Sequence, residues 1–129
     1  MNRVRTVMIA DDSVTVRKVT SRMMERQGWK VTTAKEWADA VEQLQESVPD
    51  VVLLDIKMPR MDGFEVLRTL RREARLAYLP IIMITSRTGE KHHKQAMELG
   101  ANRFLGKPFQ EANLLQTIDE VLDSAYSGA

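Results

Sequence analysis

Residues 51–63 read VVLLDIKMPRMDG: four apolar side chains, an acid, then a turn through Pro59 that restarts at Asp62-Gly63. Four consecutive apolar residues without polar alternation are the pattern of a strand buried on both faces, which is what a parallel sheet requires. Such a strand delivers Asp55 at its carboxyl end. Four other short runs, mostly apolar and often β-branched, also read as strands: TVMIA at 6–10, KVTTA at 30–34, IIMIT at 81–85 and RFLG at 103–106. Between them the apolar period lengthens to that of helices. Val16, Val19 and Met23 share one face, as do Trp37, Val41, Leu44 and Val48, then Phe64, Leu67 and Ala74, and finally Leu114, Ile118, Val121 and Leu122. Gly28 and Gly100 close the first and fourth helices and Gly63 opens the third; the fourth, around Ala96, Met97 and Leu99, has the weakest pattern. Strict β-α alternation predicts a three-layer α/β domain, its parallel sheet covered by helices on both faces.

The chain has 129 residues, 43% hydrophobic and 29% charged, enough for one ordinary core, so a single domain over 1–129 is expected. Nineteen Lys and Arg against eighteen Asp and Glu leave a net charge of +1, too balanced for the basic footprint of nucleic-acid binding. The absence of cysteine excludes a disulfide framework, a thiol nucleophile and thiolate metal ligation. VMIA before Asp11 is far shorter than a signal-peptide core or a membrane span, so the expectation is a soluble, cytoplasmic domain.

In open α/β sheets ligands bind beyond the carboxyl ends of the strands. Asp11 and Asp12 follow the first strand, Asp55 ends the third, Thr85 and Ser86 end the fourth and Lys107 follows the fifth. Helix capping accounts for Ser13 or Asp62 as well as any site role does. It needs one side chain per helix, however, and explains neither the Asp11-Asp12 pair nor Lys107. Three converging carboxylates repel by about 4 kcal/mol per pair at 4 Å and an effective dielectric of 20. Raised carboxyl pKa values, a lysine or a hard divalent cation can relieve this, and Mg²⁺ bound through oxygens leaves positions for phosphate. The set reads as a magnesium site open to a phosphoryl group.

ADDS at 10–13, LLDIKMPRMDGFE at 53–65, MITSR at 83–87 and FLGKPF at 104–109 together resemble the signature stretches of response-regulator receiver domains of two-component signalling, over essentially the whole chain. The resemblance implies a flavodoxin-like sheet of strand order 2-1-3-4-5 with five helices. It also implies that Asp55 is the phosphoacceptor, Asp12 a direct metal ligand, Asp11 a ligand through water, and the Lys57 backbone carbonyl a further ligand of Mg²⁺, for which Mn²⁺ can substitute. Lys107 would pair with the phosphoryl oxygens, Thr85 would hydrogen-bond the attached group, and Phe104 would occupy the aromatic switch position. The bond before Pro108 would be cis. A receiver catalyses only its own phosphorylation and dephosphorylation. Its partners would be a histidine kinase or phosphotransfer protein and a downstream protein, the latter docking on the face of the fourth helix, fifth strand and fifth helix. Neither nucleic acid nor membrane is implied, and a monomer or weak dimer is expected. ITSRTGEKHHKQAMELGANRFLGKPFQE resembles receivers of chemosensory and pilus-motility systems, often carried on hybrid histidine kinases, from which this domain could be excised.

Within that pattern, Trp37 replaces a common glycine and reads as a packing residue, Ile56 leaves no tryptophan beside Asp55, and Lys57 and Arg87 stand where the family tunes dephosphorylation. His92 and His93 point about 100° apart on a helix and read as solvated. The arginines at 68, 71, 72 and 75 read as complements to a helix dipole. The eight methionines read as core filling, although any on the face of the fourth helix, fifth strand and fifth helix could serve an adaptable interface. A phosphatase with an aspartyl nucleophile would want an acid at position 57, where lysine stands. A flavin carrier would want free amides after the first strand, where two acids stand.

Overall fold

The computed structural model describes residues 4–58, 61–86 and 89–127, those at 58, 61 and 124–127 by backbone alone. In the main sheet, β1 is Thr6–Ala10, β2 Lys30–Ala34, β3 Val51–Asp55, β4 Ile81–Thr85 and β5 Arg103–Gly106. All neighbours are parallel and the order is β2-β1-β3-β4-β5. The helices are α1 Val14–Arg26, α2 Trp37–Glu46, α3 Gly63–Arg72, α4 Glu90–Glu98 and α5 Glu111–Ser127. Two further short strands, Lys57–Met58 and Met61–Asp62, pair antiparallel between β3 and α3. Pro59 and Arg87 lie outside the described residues.

Period-two side-chain alternation splits each buried strand between two cores. Met8, Val52, Leu54, Ile81 and Met83 meet α2, α3 and α4 through Leu44, Val66, Leu67, Leu70 and Ala96. Val7, Ile9, Leu53, Ile82 and Ile84 meet α1 and α5 through Met24, Leu114, Ile118, Val121 and Leu122. Each large apolar side chain so enclosed contributes about 1.5–3 kcal/mol relative to exposure.

Three apolar faces differ from their sequence reading. On α1 the buried residues are Thr20 and Met24, while Val19 is 45% exposed. Val16 and Val19 line an apolar groove against Pro108 and Phe109, and Met23, at its edge, also packs against the core. Val48 lies beyond α2, which ends before Ser47 and Pro49, and is exposed. Ala74 begins a 3₁₀ turn, Ala74–Leu76, which buries Leu76 in its place.

Arg71 and Arg75, read as complements to a helix dipole, instead bond specific carbonyls, and Arg75 lies beyond α3 in the 3₁₀ turn. The Arg71 guanidinium donates from Nε to the Gly100 carbonyl (3.0 Å), from Nη1 to that of Leu76 (3.0 Å) and from Nη2 to Asn102 Oδ1 (2.9 Å). Asn102 Oδ1 also accepts from the Ile81 N–H (2.8 Å), so one clamp joins α3, the end of α4 and the starts of β4 and β5. Arg75 donates to the Leu44 carbonyl (2.7 Å), and Arg68 and Arg72 are exposed. Gly100 adopts φ +107°, the left-handed conformation that ends helices. No helix among the described residues is long and apolar enough to cross a membrane.

Candidate functional site

The carboxyl ends of β1, β3, β4 and the loop after β5 meet at one edge of the sheet, because parallel strands all end on the same side. Pairing of Ala10 with Leu54 and of Asp55 with Ile84 brings the acids after β1 beside the acid that ends β3. Carboxylate oxygens of Asp11, Asp12 and Asp55 lie within 4.8 Å of one another. Asp11 and Asp55 are 3% and 5% exposed, whereas Asp12 is open to solvent.

Local hydrogen bonds hold this arrangement. The Ser13 N–H donates to Asp11 Oδ1 (2.9 Å), and Arg17 Nη1 donates to the Asp11 carbonyl (2.7 Å). Ser13 itself caps α1, its hydroxyl accepting from the Val16 N–H. Asp62 caps α3, accepting from the Phe64 N–H (2.9 Å). These two are caps, and Asp11 and Asp55 are not. The Lys57 N–H donates to Asp55 Oδ1 (3.2 Å). Behind the turn, the Gly63 N–H donates to the Ile56 carbonyl (2.6 Å). A Cβ on Gly63 would stand 2.5 Å from Ile56 Cα, so only glycine admits this approach.

Lys107 reaches Asp11 Oδ2 at 2.6 Å and Asp55 Oδ2 at 3.6 Å. Its ammonium therefore satisfies Asp11 first. Burial pushes the Asp55 carboxyl up from 3.8 to about 6; the Asp11 charge adds to this, while Lys107 and the Lys57 N–H act against it. One lysine does not neutralise three acids, and this donor set, all hard oxygens with a water-facing member, fits a divalent cation such as Mg²⁺. Thr85, at the end of β4, is buried, and its carbonyl accepts from the Lys107 N–H (2.8 Å). The Lys107-Pro108 bond is cis. Phe104, on β5, packs half-buried against the α2–α4 core.

The family model for the response regulator receiver domain matches residues 7–119. The chain belongs to that family. The receiver is 36% identical over 116 residues to Protein PilH of Pseudomonas aeruginosa, covering 90% of this chain and 96% of PilH. It is 35% identical over 121 residues to the transcriptional regulatory protein GltR of the same organism, covering 94% of this chain but 50% of GltR, so it spans about half the length of that relative. The solved structure of the chemotaxis response regulator CheY4 of Vibrio cholerae superposes with a TM-score of 0.88 at 32% identity, over 93% of this receiver and 100% of CheY4.

Two receiver residues with ordered surroundings carry no sequence signal for them. His92 stacks on Phe64 with ring centroids 6.4 Å apart, and His93 on Phe104 at 5.0 Å. His92 is half-buried with Nδ1 shielded from solvent, which overturns its reading as solvated. Sequence spacing shows that adjacent helical residues diverge, but not what each will meet.

Proposed function

We propose that this receiver is a phosphoacceptor switch in which Asp55 takes a phosphoryl group from the phosphohistidine of a histidine kinase or phosphotransfer protein. The supporting observation is the position of Asp55, buried at the end of β3 among Asp11, Asp12 and Lys107. An Asp55 carboxylate oxygen attacks phosphorus, the P–N bond breaks, and its electron pair leaves with the imidazole. Asp12 and Asp55 directly, Asp11 through water, and the Lys57 carbonyl would hold Mg²⁺ or Mn²⁺. A divalent cation held there would supply positive charge to offset the carboxylates and the phosphoryl oxygens. Lys107 exchanges its pairing with Asp11 for the incoming phosphoryl oxygens, and Thr85 donates its hydroxyl to the attached group. The domain supplies positioning and electrostatics, catalysing only its own phosphorylation and dephosphorylation.

Output follows from the same strand ends. Drawing Thr85 toward the phosphoryl group vacates space for the Phe104 ring, and the face of α4, β5 and α5 changes its affinity for a downstream protein. The balanced charge argues against nucleic acid as that partner. PilH is matched over nearly its whole length and GltR over half, which supports reading the domain either as a stand-alone regulator or as one module of a longer protein, a hybrid kinase among them. Incubation with acetyl phosphate and Mg²⁺ adds one phosphoryl mass, and Asp55→Asn abolishes it. Undiminished labelling of that variant would overturn the assignment.

A further inference from the structure

Helix α4 is lightly held. Its N-cap, Gly89, offers no side-chain hydrogen bond, and Ala96 is its one fully buried residue. Two adjacent rings secure it sideways. His92 lies on Phe64 of α3 with 11° between planes, and His93 lies on Phe104 of β5 with 8° between planes and a centroid distance of 5.0 Å. Both separations fall within the range of favourable aromatic pairs. Successive helical residues diverge by about 100°, so one dipeptide grips an element on each side.

We propose that His93 is the positioning residue that fixes the resting place of Phe104 and couples its movement to α4. This rests on the reading of Phe104 as the switch. Phenylalanine has no hydroxyl to anchor, so packing alone defines where its ring sits. One part of that packing is the core shared with α2, α3 and α4, and another is the stacked imidazole of His93, a residue otherwise open to solvent. Phe104 therefore cannot move without either losing the stack or drawing His93 with it. His92 holds the same turn of α4 on Phe64, so the helix is pulled at one point from both flanks. An aromatic pair of this kind biases a two-state balance by roughly two- to tenfold.

The receiver has three phenylalanines, Phe64, Phe104 and Phe109, so replacing them with 4-fluorophenylalanine gives three ¹⁹F signals, that of Phe104 being assigned by its loss in Phe104→Leu. In the wild type, beryllofluoride with Mg²⁺ moves the Phe104 signal from a resting to a bound position. In His93→Ala the unliganded signal already lies toward the bound position, and half-saturation needs two- to tenfold less beryllofluoride, while acetyl phosphate still labels Asp55. His93→Phe, which keeps a stacking ring, restores the resting position and the midpoint. His92→Ala moves the Phe64 signal and leaves Phe104 at rest. If the wild-type signal moves but His93→Ala matches it in resting position and midpoint, the role of His93 is refuted and the switch stands. A wild-type Phe104 signal that ignores beryllofluoride would refute the switch itself.

Discussion

Asp55 is ionised at neutral pH at a cost to the fold, and Asp55→Asn should release that cost. Its carboxyl is raised from 3.8 to about 6, a difference of about 2 pH units, with burial the main cause and the Asp11 charge the next. At about 1.4 kcal/mol per unit, this amounts to about 3 kcal/mol. The native state holds the Asp55 proton more tightly than the unfolded chain does. Between about pH 4 and 6 the native state therefore binds more protons, so this group makes unfolding free energy fall as pH rises, with no further loss above about 6. Asparagine cannot ionise, and its carbonyl still accepts from the Lys57 N–H. In EDTA, urea titrations at pH 4 should give the two proteins similar stabilities, and at pH 7.5 the variant should be more stable by about 2–3 kcal/mol. For a domain of this size that is roughly 10 °C in melting temperature. The difference between the proteins cancels titrating groups remote from the site and leaves Asp55 together with the charges coupled to it, Asp11, Asp12 and Lys107. Parallel curves from pH 4 to 7.5, or a wild type that gains on the variant as pH rises, would refute the reasoning.

Mg²⁺ at millimolar concentration should raise the wild-type melting temperature, because it relieves carboxylate repulsion in the folded state alone; Asp12→Ala should lose that response and melt above metal-free wild type at pH 7.5 in calorimetry. Gly63→Ala should cost about 3 kcal/mol or more in urea unfolding, since its Cβ would fall 2.5 Å from Ile56 Cα, and a near-wild-type midpoint would contradict the close approach. Arg71→Lys should cost about 2–3 kcal/mol by the same measurement, because an ammonium cannot serve the Gly100, Leu76 and Asn102 acceptors with the geometry of the guanidinium fork; a loss below about 0.5 kcal/mol would deny the clamp its role.

The five strands of the main sheet were legible to the residue, whereas the short antiparallel pair Lys57–Met58 and Met61–Asp62 reads only as a turn. Runs such as VVLLD and IIMIT are buried on both faces, and little besides a parallel strand accommodates them. Strand ends in turn located Asp11, Asp12, Asp55, Thr85 and Lys107, which the fold gathers at one edge. Helix faces were less legible. On α1 the stripe through Val16, Val19 and Met23 is real, but part of it lines an open groove, and periodicity does not distinguish a groove from a core. Val48 and Ala74 extend an apolar pattern past the point where Pro49 and the extended backbone at Glu73 stop the helix. The Arg71 clamp reaches Gly100 and Asn102, and His92 reaches Phe64, across separations in the chain that no local pattern encodes; His93 meets Phe104 on a different element. The preference of Lys107 for Asp11 over Asp55 depends on a difference of 2.6 against 3.6 Å, finer than spacing can resolve.

The Arg71 clamp has a mechanical consequence for the far end of the molecule. It grips the Gly100 carbonyl just past the last turn of α4, and Arg71 Cγ fills the space beside Gly100 so closely that a Cβ there would meet it at 3.0 Å. The opposite end of α4 starts at Gly89 with no side chain to cap it. Any displacement of α4 is then a swing about a fulcrum at Gly100. At 1.5 Å per residue, His93 lies about 10 Å along the lever and Glu90 about 15 Å. A shift of ~1 Å delivered at His93 becomes ~1.4 Å at Glu90, and only ~0.4 Å at Met97. The size of the signal thus depends on where a partner takes hold, small near the hinge and largest at the first turn of the helix.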